Sequence, residues 1–377
     1  MNQTFFDLID LCKCAVNGTI PLKSRCDQMH MENLYTAAEY HSLTAIAAYA
    51  LESAGVQEEQ FCTAKAKASR KNIYLDIERA KLFSFCEQNG IWYMPLKGCI
   101  LKEMYPDFSM RQMADNDILF DEKFRSAIRQ FFIDHQYTVV SYRQVNHDAY
   151  EKPPVLNFEM HTALFGLVHN QEWAEYYKNI KERLIKDRDN HYGYHFSDED
   201  FYIYIIAHEY KHYIKGGTGL RSLLDCYVFL RAKQDAMDWS YISAECKKLG
   251  IADFEQQSRK LAQAVFGEDS AALSDADKQM LAYYLKSGTY GTMKQFAQGK
   301  IERFQKQTGS TSRLKYIWYR LFPPMEVYER YYPFFYQHKW LLPVGWGYRL
   351  IRGMVKKRKK VQGEMKYLYH TDDETQQ

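Results

Sequence analysis

The chain has 377 residues, with 50 Lys or Arg against 47 Asp or Glu and a formal charge of +3. That excess is too small to mark a nucleic-acid binder by charge alone, and the length exceeds one small domain. No apolar run approaches the roughly twenty residues that a membrane-crossing helix needs.

Taken in chain order, the first fifteen residues carry Asp7 and Asp10 and lack a basic start, so they do not read as a secretory signal. Apolar periodicity predicts helices over 31–53 and 58–88, the second long and rich in Ala, Lys and Arg. Residues 91–96 form a short apolar and aromatic run that stops at Lys97 and Gly98. Residues 99–105 then read as the opening of a helix. A strand that ends in a glycine and turns into a helix offers free backbone N–H groups to a phosphate. Lys97 would add a point charge. Arg111 follows in a loop, placed to fork onto phosphate oxygens.

The next element, 113–120, carries Asp115 and Asp117. Residues two apart on a strand share a face, so these carboxylates project together. A helix over 122–135 and a strand over 137–142 precede a further strand holding Glu159 and His161. If Glu159 lies beside the aspartates, three hard oxygen donors converge, a donor set suited to Mg²⁺ or Mn²⁺ with substrate phosphates completing the shell. Two such ions can stabilise the attacking and leaving oxygens of a phosphoryl displacement. His161, on the face of Glu159, is placed to touch substrate or phosphate.

From 171 onward the spacing is helical: 172–187, 198–214, 219–232, 239–249, 253–265, 275–286 and 289–307, with Gly216, Gly217 and Gly250 as helix ends. One of these helices contains His208, Glu209 and His212 in an H-E-x-x-H pattern. There two histidines one turn apart can bind Zn²⁺ while the glutamate serves as base. A third ligand is needed, with Asp225 or Glu245 as candidates, so a zinc hydrolase stays open as an alternative. Residues 313–361 shift towards Tyr, Trp, Pro and Arg, and 349–361 hold seven Lys or Arg interleaved with Leu350, Ile351 and Val355. That stretch is a solvated final helix or a weak contact with an anionic surface, membrane or RNA. Residues 370–377 read as a disordered tail. The eight cysteines form no Cys-x-x-Cys pair and read as reduced thiols, which suits a cytoplasmic protein.

Residues 91–162 resemble the uncharacterised nucleotidyltransferase family of the DNA polymerase beta-like superfamily. The likeness rests on Leu96, Lys97 and Gly98; on Tyr105, Pro106 and Arg111; on Asp115 and Asp117; and on Glu159 with His161. The resemblance implies an α+β fold, with a small mixed β-sheet core, flanking helices and a large, mainly helical C-terminal part. The expected division is 1–88 helical, 89–168 nucleotidyltransferase core, 169–312 helical, and 313–377 aromatic and basic.

It also implies Mg²⁺-dependent transfer of a nucleotidyl group from an NTP of unknown base. The acceptor would be a small molecule, a protein side chain or an RNA end. Asp115, Asp117 and Glu159 would be the catalytic metal ligands, and Lys97, Gly98, Arg111 and His161 would bind the nucleotide. A non-catalytic nucleotide-binding module that keeps the fold is a further alternative. Two departures stand out. Cys99 occupies a position where the superfamily often has a phosphate-binding serine. Asn116 replaces an apolar residue, which predicts a less buried back to the aspartate strand.

Overall fold

The computed structural model describes residues 2–144, 146–166, 171–268, 272–289 and 291–356. The remainder, including the expected tail at 370–377 and the end of the basic stretch at 357–361, lies outside the described residues. The fold is α+β, helices predominating around a small mixed sheet. The chain divides into two compact units, residues 1–210 with 220–285 and residues 211–219 with 286–377.

The first unit opens with α1 (Gln3–Asn17), α2 (Lys23–Cys26), α3 (Met31–Tyr40), α4 (Thr44–Ser53) and α5 (Glu59–Gln88). The expected helix over 31–53 is thus two helices, broken where Ser42 takes a positive φ of 54°. The break leaves His41 fully buried, its ring accepting the Leu220 N–H at 3.2 Å. Helix α5 buries Phe61, Ala68, Asn72, Leu75, Leu82 and Cys86, a stripe at helical spacing along thirty residues.

The sheet comes next: β1 (Tyr93–Pro95), the single turn α6 (Gly98–Leu101), β2 (Asn116–Phe120), α7 (Arg125–Asp134), β3 (Thr138–Ser141), β4 (His147–Lys152) and β5 (Leu156–His161). Its order is β1-β2-β5-β4-β3, with β2 and β5 parallel and the other neighbours antiparallel. Alternation divides the residues cleanly. Ile118, Phe120, Tyr150, Phe158 and Met160 pack with Leu82 and Cys86 of α5 and with Ile128, Phe131 and Phe132 of α7. The opposite face carries Asp117, Glu159 and His161. Strand β4 is not among the sequence expectations. Its inward positions are Asp148 and Tyr150, and a buried charge hides the two-residue alternation. Arg125 neutralises that charge through two hydrogen bonds of 2.7 Å.

Beyond the sheet lie α8 (Gln171–Tyr176), a 3₁₀ turn (Ile180–Arg183), and the small hairpin of β6 (Ile185–Lys186) and β7 (Tyr194–His195). These replace the helix expected over 172–187. Trp173 and Ile180 still point inward, but Arg183 reaches Asp200 and the Tyr176 and Tyr241 hydroxyls, a polar anchorage outside helical periodicity. Then come α9 (Asp198–Gly216), α10 (Leu220–Lys233), α11 (Trp239–Lys248), α12 (Ala252–Phe266) and α13 (Asp275–Ser287). Their bounds follow the expected helices to within a few residues. Helix α12 packs on α1, α10 and α11. The second unit holds α14 (Met293–Thr308), α15 (Arg313–Leu321), α16 (Met325–Tyr331), α17 (Pro333–Gln337) and α18 (Leu342–Lys356). Among the described residues no helix is long and apolar enough to cross a membrane. All eight cysteines are free.

Phe132 is the centre of the sheet core, stacked on Tyr150 at 4.1 Å between ring centroids and in contact with Tyr137 and Phe158. Phe132→Ala leaves a cavity that these rings cannot close, and should lower stability by about 3–5 kcal/mol. A shift of the urea midpoint at unchanged slope measures it.

Candidate active site

Helix α5 is the rail on which the site is mounted. Its Asn72 side chain donates to the carbonyls of Phe108 and Arg111, and Lys71 donates to the carbonyl of Ala114. Together they hold the loop that leads into β2. Asn116 completes the attachment by donating to the Leu75 carbonyl at 2.9 Å and accepting from Arg79 at 3.0 Å. The back of the aspartate strand is therefore fully buried, contrary to the expectation from Asn116. A polar residue is tolerated there because α5 supplies a partner to both its amide nitrogen and its amide oxygen.

The register of β2 on β5 sets Asp117 directly beside Glu159. Asp115 immediately precedes β2, two residues from Asp117, and is half-buried. The buried Asp117 accepts from Lys97 Nζ at 3.0 Å on one oxygen, while His161 Nε2 lies 2.8 Å from the other. Glu159 is more open, with its Oε2 3.6 Å from His161 Nε2 and 3.8 Å from His147 Nε2. Asp117, Glu159 and His161 each offer a donor atom within 4.8 Å of the others, the one such group among the described residues. Asp115 stands next to that group and is coupled to it by charge.

Electrostatics follows from this crowding. Burial opposes the charge of Asp117, but Lys97 and His161 outweigh it and hold the carboxyl well below the usual range. Burial, then the Asp117 charge, pushes Asp115 up to about 7, with Glu159 adding to the rise and Lys97 and Arg221 opposing it. Burial also opposes the Lys97 ammonium, but Asp117 keeps it charged. Burial lowers His161 despite its bond to Asp117. A neutral imidazole giving Nε2–H to an anionic Asp117 leaves Nδ1 as an acceptor, and that buried atom has no hydrogen-bond partner among the described residues.

Lys97 and Gly98 occupy a strained turn. Lys97 has φ 45° and ψ −105°, a conformation an L-residue rarely adopts. Gly98 leaves room for two side-chain ends: a Cβ there would lie 2.6 Å from Arg111 Nη1 and 2.8 Å from Met113 Sδ, and both would have to shift. The helix expected over 99–105 is a single α turn followed by a 3₁₀ turn, because Lys102 is drawn inward to Asp76. So short a helix contributes little dipole. Cys99 is buried, its thiol raised to about 11 by burial and donating to the Leu96 carbonyl, so it is turned back into the fold.

Arg111 lies against Gly98 and forks onto Asp225 of α10 through Nε and Nη2, both at 2.8 Å, while the Tyr105 hydroxyl donates to the same carboxylate at 2.7 Å. It is thus buried and bidentately paired. Three residues at the site, Lys71, His147 and Tyr204, are not among the sequence expectations, whereas Arg221 is implied by the family resemblance as a cleft residue or a helix lock. Tyr204 of α9 is buried, and its hydroxyl is within electrostatic reach of Lys97, Asp117 and Glu159. Lys71 and Arg221 face Asp115, and Arg221 also donates to the Gln112 carbonyl. His147 sits opposite His161 in the register of β4 and β5. The sheet pairing and the packing of α5 and α9 on it bring them in.

A model of the uncharacterised nucleotidyltransferase family matches residues 27–267, well over half of the chain. The chain belongs to that family. Neither a curated protein nor a solved structure matches it. The part matched by the nucleotidyltransferase family contains all of the site residues described above. The H-E-x-x-H residues fare differently. Glu209 is buried, raised to about 7 by burial, and accepts from the Tyr284 hydroxyl at 2.6 Å. Asp225 is held by Arg111, and Glu245 by Tyr176 and Lys248. Among the described residues no group of three close donors includes His208 or His212.

In metal-free protein, Asp115 should set a pH dependence of stability. Its folded pKa of about 7 exceeds its ordinary value near 3.8, so the fold holds a proton that the unfolded chain releases between them. Stability therefore falls as pH rises from about 4 to about 7, by at most a few kcal/mol. Asp115→Asn removes the penalty. In chelator, its melting temperature should exceed that of the parent near pH 8 and converge with it near pH 4. A gap independent of pH would exclude charge crowding as the cause.

Proposed function

We propose that this nucleotidyltransferase uses Asp115, Asp117 and Glu159 to hold Mg²⁺ or Mn²⁺ and moves an NMP group from an NTP to an acceptor hydroxyl. The observation that carries the reading is the lateral pairing of Asp117 with Glu159 beside Asp115. Three carboxylates crowd one face of the sheet around a buried anionic member. Oxygen donors in that arrangement fit a hard divalent cation, and a neutral His161 tolerates one nearby. When bound, the ions would supply charge stabilisation for the attacking and leaving oxygens.

The remaining work belongs to side chains of the chain itself. The acceptor oxygen bonds to the α-phosphorus while the bond from that phosphorus to the bridging oxygen breaks, and pyrophosphate leaves. Glu159, the most open carboxylate of the pair with Asp117, would orient the acceptor hydroxyl and take its proton. Lys97, exchanging Asp117 for the triphosphate, would neutralise phosphate charge together with Lys71 and Arg221. His161 would hold Asp117 in its orientation. Arg111 would act at one remove, through the turn it shapes at Gly98. Catalysis in this scheme is chiefly positioning and electrostatic stabilisation.

Incubating purified protein with each labelled NTP, Mg²⁺ or Mn²⁺ and a cell extract should label an acceptor and reveal the preferred base. Label transfer should vanish in chelator and return with either ion. Asp117→Asn should reduce transfer by far more than a hundredfold while circular dichroism shows the fold retained. His161→Ala, which removes only a partner of that carboxylate, should fall in the range of about 10–100-fold typical of such supports. Full activity of Asp117→Asn would overturn the assignment of the metal ligands.

A further inference from the structure

The second unit contains the most unusual composition of the chain. Residues 313–361 hold twelve Lys or Arg against Glu326 and Glu329, and thirteen aromatic residues that include three of the six tryptophans. A helix packed in a globular protein turns its apolar stripe inward. Helix α15 does so with Tyr316, yet it and α18 also present apolar residues outward. On α15, Leu314 and Trp318 are one turn apart and 80% and 65% exposed. On α18, Val344, Tyr348 and Ile351 follow the spacing of one helix face and are 60%, 50% and 61% exposed. Trp340, just before α18, is 76% exposed.

These side chains are displayed from a braced framework. The Phe322 ring lies between Trp318 at 4.4 Å and Trp346 at 4.9 Å, the second contact edge-on. Arg349 donates to the carbonyls of Arg320 and Leu321, tying α18 to the last turn of α15. Beside Trp318 lies an open hollow of about 430 Å³, walled by Leu314, Lys315, Tyr319, Phe322 and Pro324.

We propose that the α15–α18 segment docks on an anionic lipid surface. Trp318, Trp340 and Ile351 would enter the boundary between headgroups and acyl chains, and the surplus of Lys and Arg would meet the lipid charge. Tryptophan and tyrosine favour that boundary, where one part of the ring is apolar and the other wet. Exposed aliphatic residues on a basic helix are the pattern of a helix lying in the interface plane. Since no described helix can cross a bilayer, the contact is peripheral. Aromatic and basic residues also suit single-stranded RNA, but Leu314, Val344 and Ile351 have no counterpart on a base or phosphate. A second copy of the same face would bring like charge against like charge.

The test uses the full chain and co-sedimentation with vesicles of phosphatidylcholine alone or with about a third phosphatidylglycerol. The protein should pellet with the anionic vesicles and remain in solution with the neutral ones, and added salt should weaken the association. Trp318→Ser combined with Trp340→Ser should lower the partition coefficient at least about tenfold, because burying one large apolar side chain is worth that factor or more. Trp340 lies outside the Phe322 brace, so Trp340→Ser alone should leave the circular dichroism melt unchanged and still weaken binding. Absence from the anionic pellet, or equal binding by the double variant, would overturn the proposal. An RNA oligonucleotide bound through the same tryptophans without vesicle binding would assign the face to RNA. A concentration-dependent dimer lost in the double variant would assign it to self-association.

Discussion

The parallel pairing of β2 with β5 is the constraint from which the site follows. It fixes Asp117 beside Glu159 whatever their side-chain torsions, and places both opposite the face occupied by Phe120, Phe158 and Met160. A slip of one residue would exchange the faces, putting carboxylates into the aromatic core. The core therefore enforces the geometry of the acidic face. That enforcement is needed because the acidic face is unfavourable by itself. Asp115, Asp117 and Glu159 repel one another, and Lys97, His161, Arg221 and Lys71 offset the repulsion.

A second constraint ties the loop of the site to the helices that follow it. Arg111 reaches Asp225 from one side while its third nitrogen lies against Gly98 and Met113. A buried, bidentate arginine–carboxylate pair with a tyrosine on the same acceptor has little freedom. It fixes where α10 stands relative to the Lys97 turn, and α10 in turn presents Arg221 towards Asp115. Removing one partner would leave the other buried and unpaired, a heavier loss than the pair itself contributes. Sequence proximity to the aspartates made Arg111 look like a phosphate ligand. The structure gives its charge a protein partner a hundred residues away, which no local pattern announces.

That contrast marks what could be read from the chain. Local, periodic features were legible: the boundaries of α5 and α9 through α13, the strand that ends at Lys97, the common face of Asp117 and Glu159, and the α+β class. Features that depend on a distant partner were not. Strand β4 was hidden because Asp148 occupies an inward position, acceptable only with Arg125 opposite. Asn116 looked like a weakened strand until α5 supplied its partners. Lys71 and Tyr204 join the site from helices that precede and follow the sheet, so only the tertiary path brings them in. The H-E-x-x-H string was misleading for the same reason. Its glutamate is directed to Tyr284, and the candidate third ligands are engaged elsewhere.

Lys97 joins these threads. Its backbone is held at φ 45° by bonds on either side: the Leu96 N–H donates to the Asp117 carbonyl, and the Lys97 carbonyl accepts from Ile100 and Leu101. A strained residue persists only where its surroundings over-determine it. The strain aims the side chain back across β2, so that its ammonium closes on Asp117. In the proposed reaction the same lysine has two alternative partners, the carboxylate and the triphosphate. With cations held by Asp115, Asp117 and Glu159, the Lys97 ammonium would be free to turn to the phosphates, and the carboxylates would keep a counter-charge. An arginine would be a poor substitute, because its planar fork would bind both oxygens of Asp117 and compete with His161. The requirement is a compact charge on a flexible stem, set on a rigid turn.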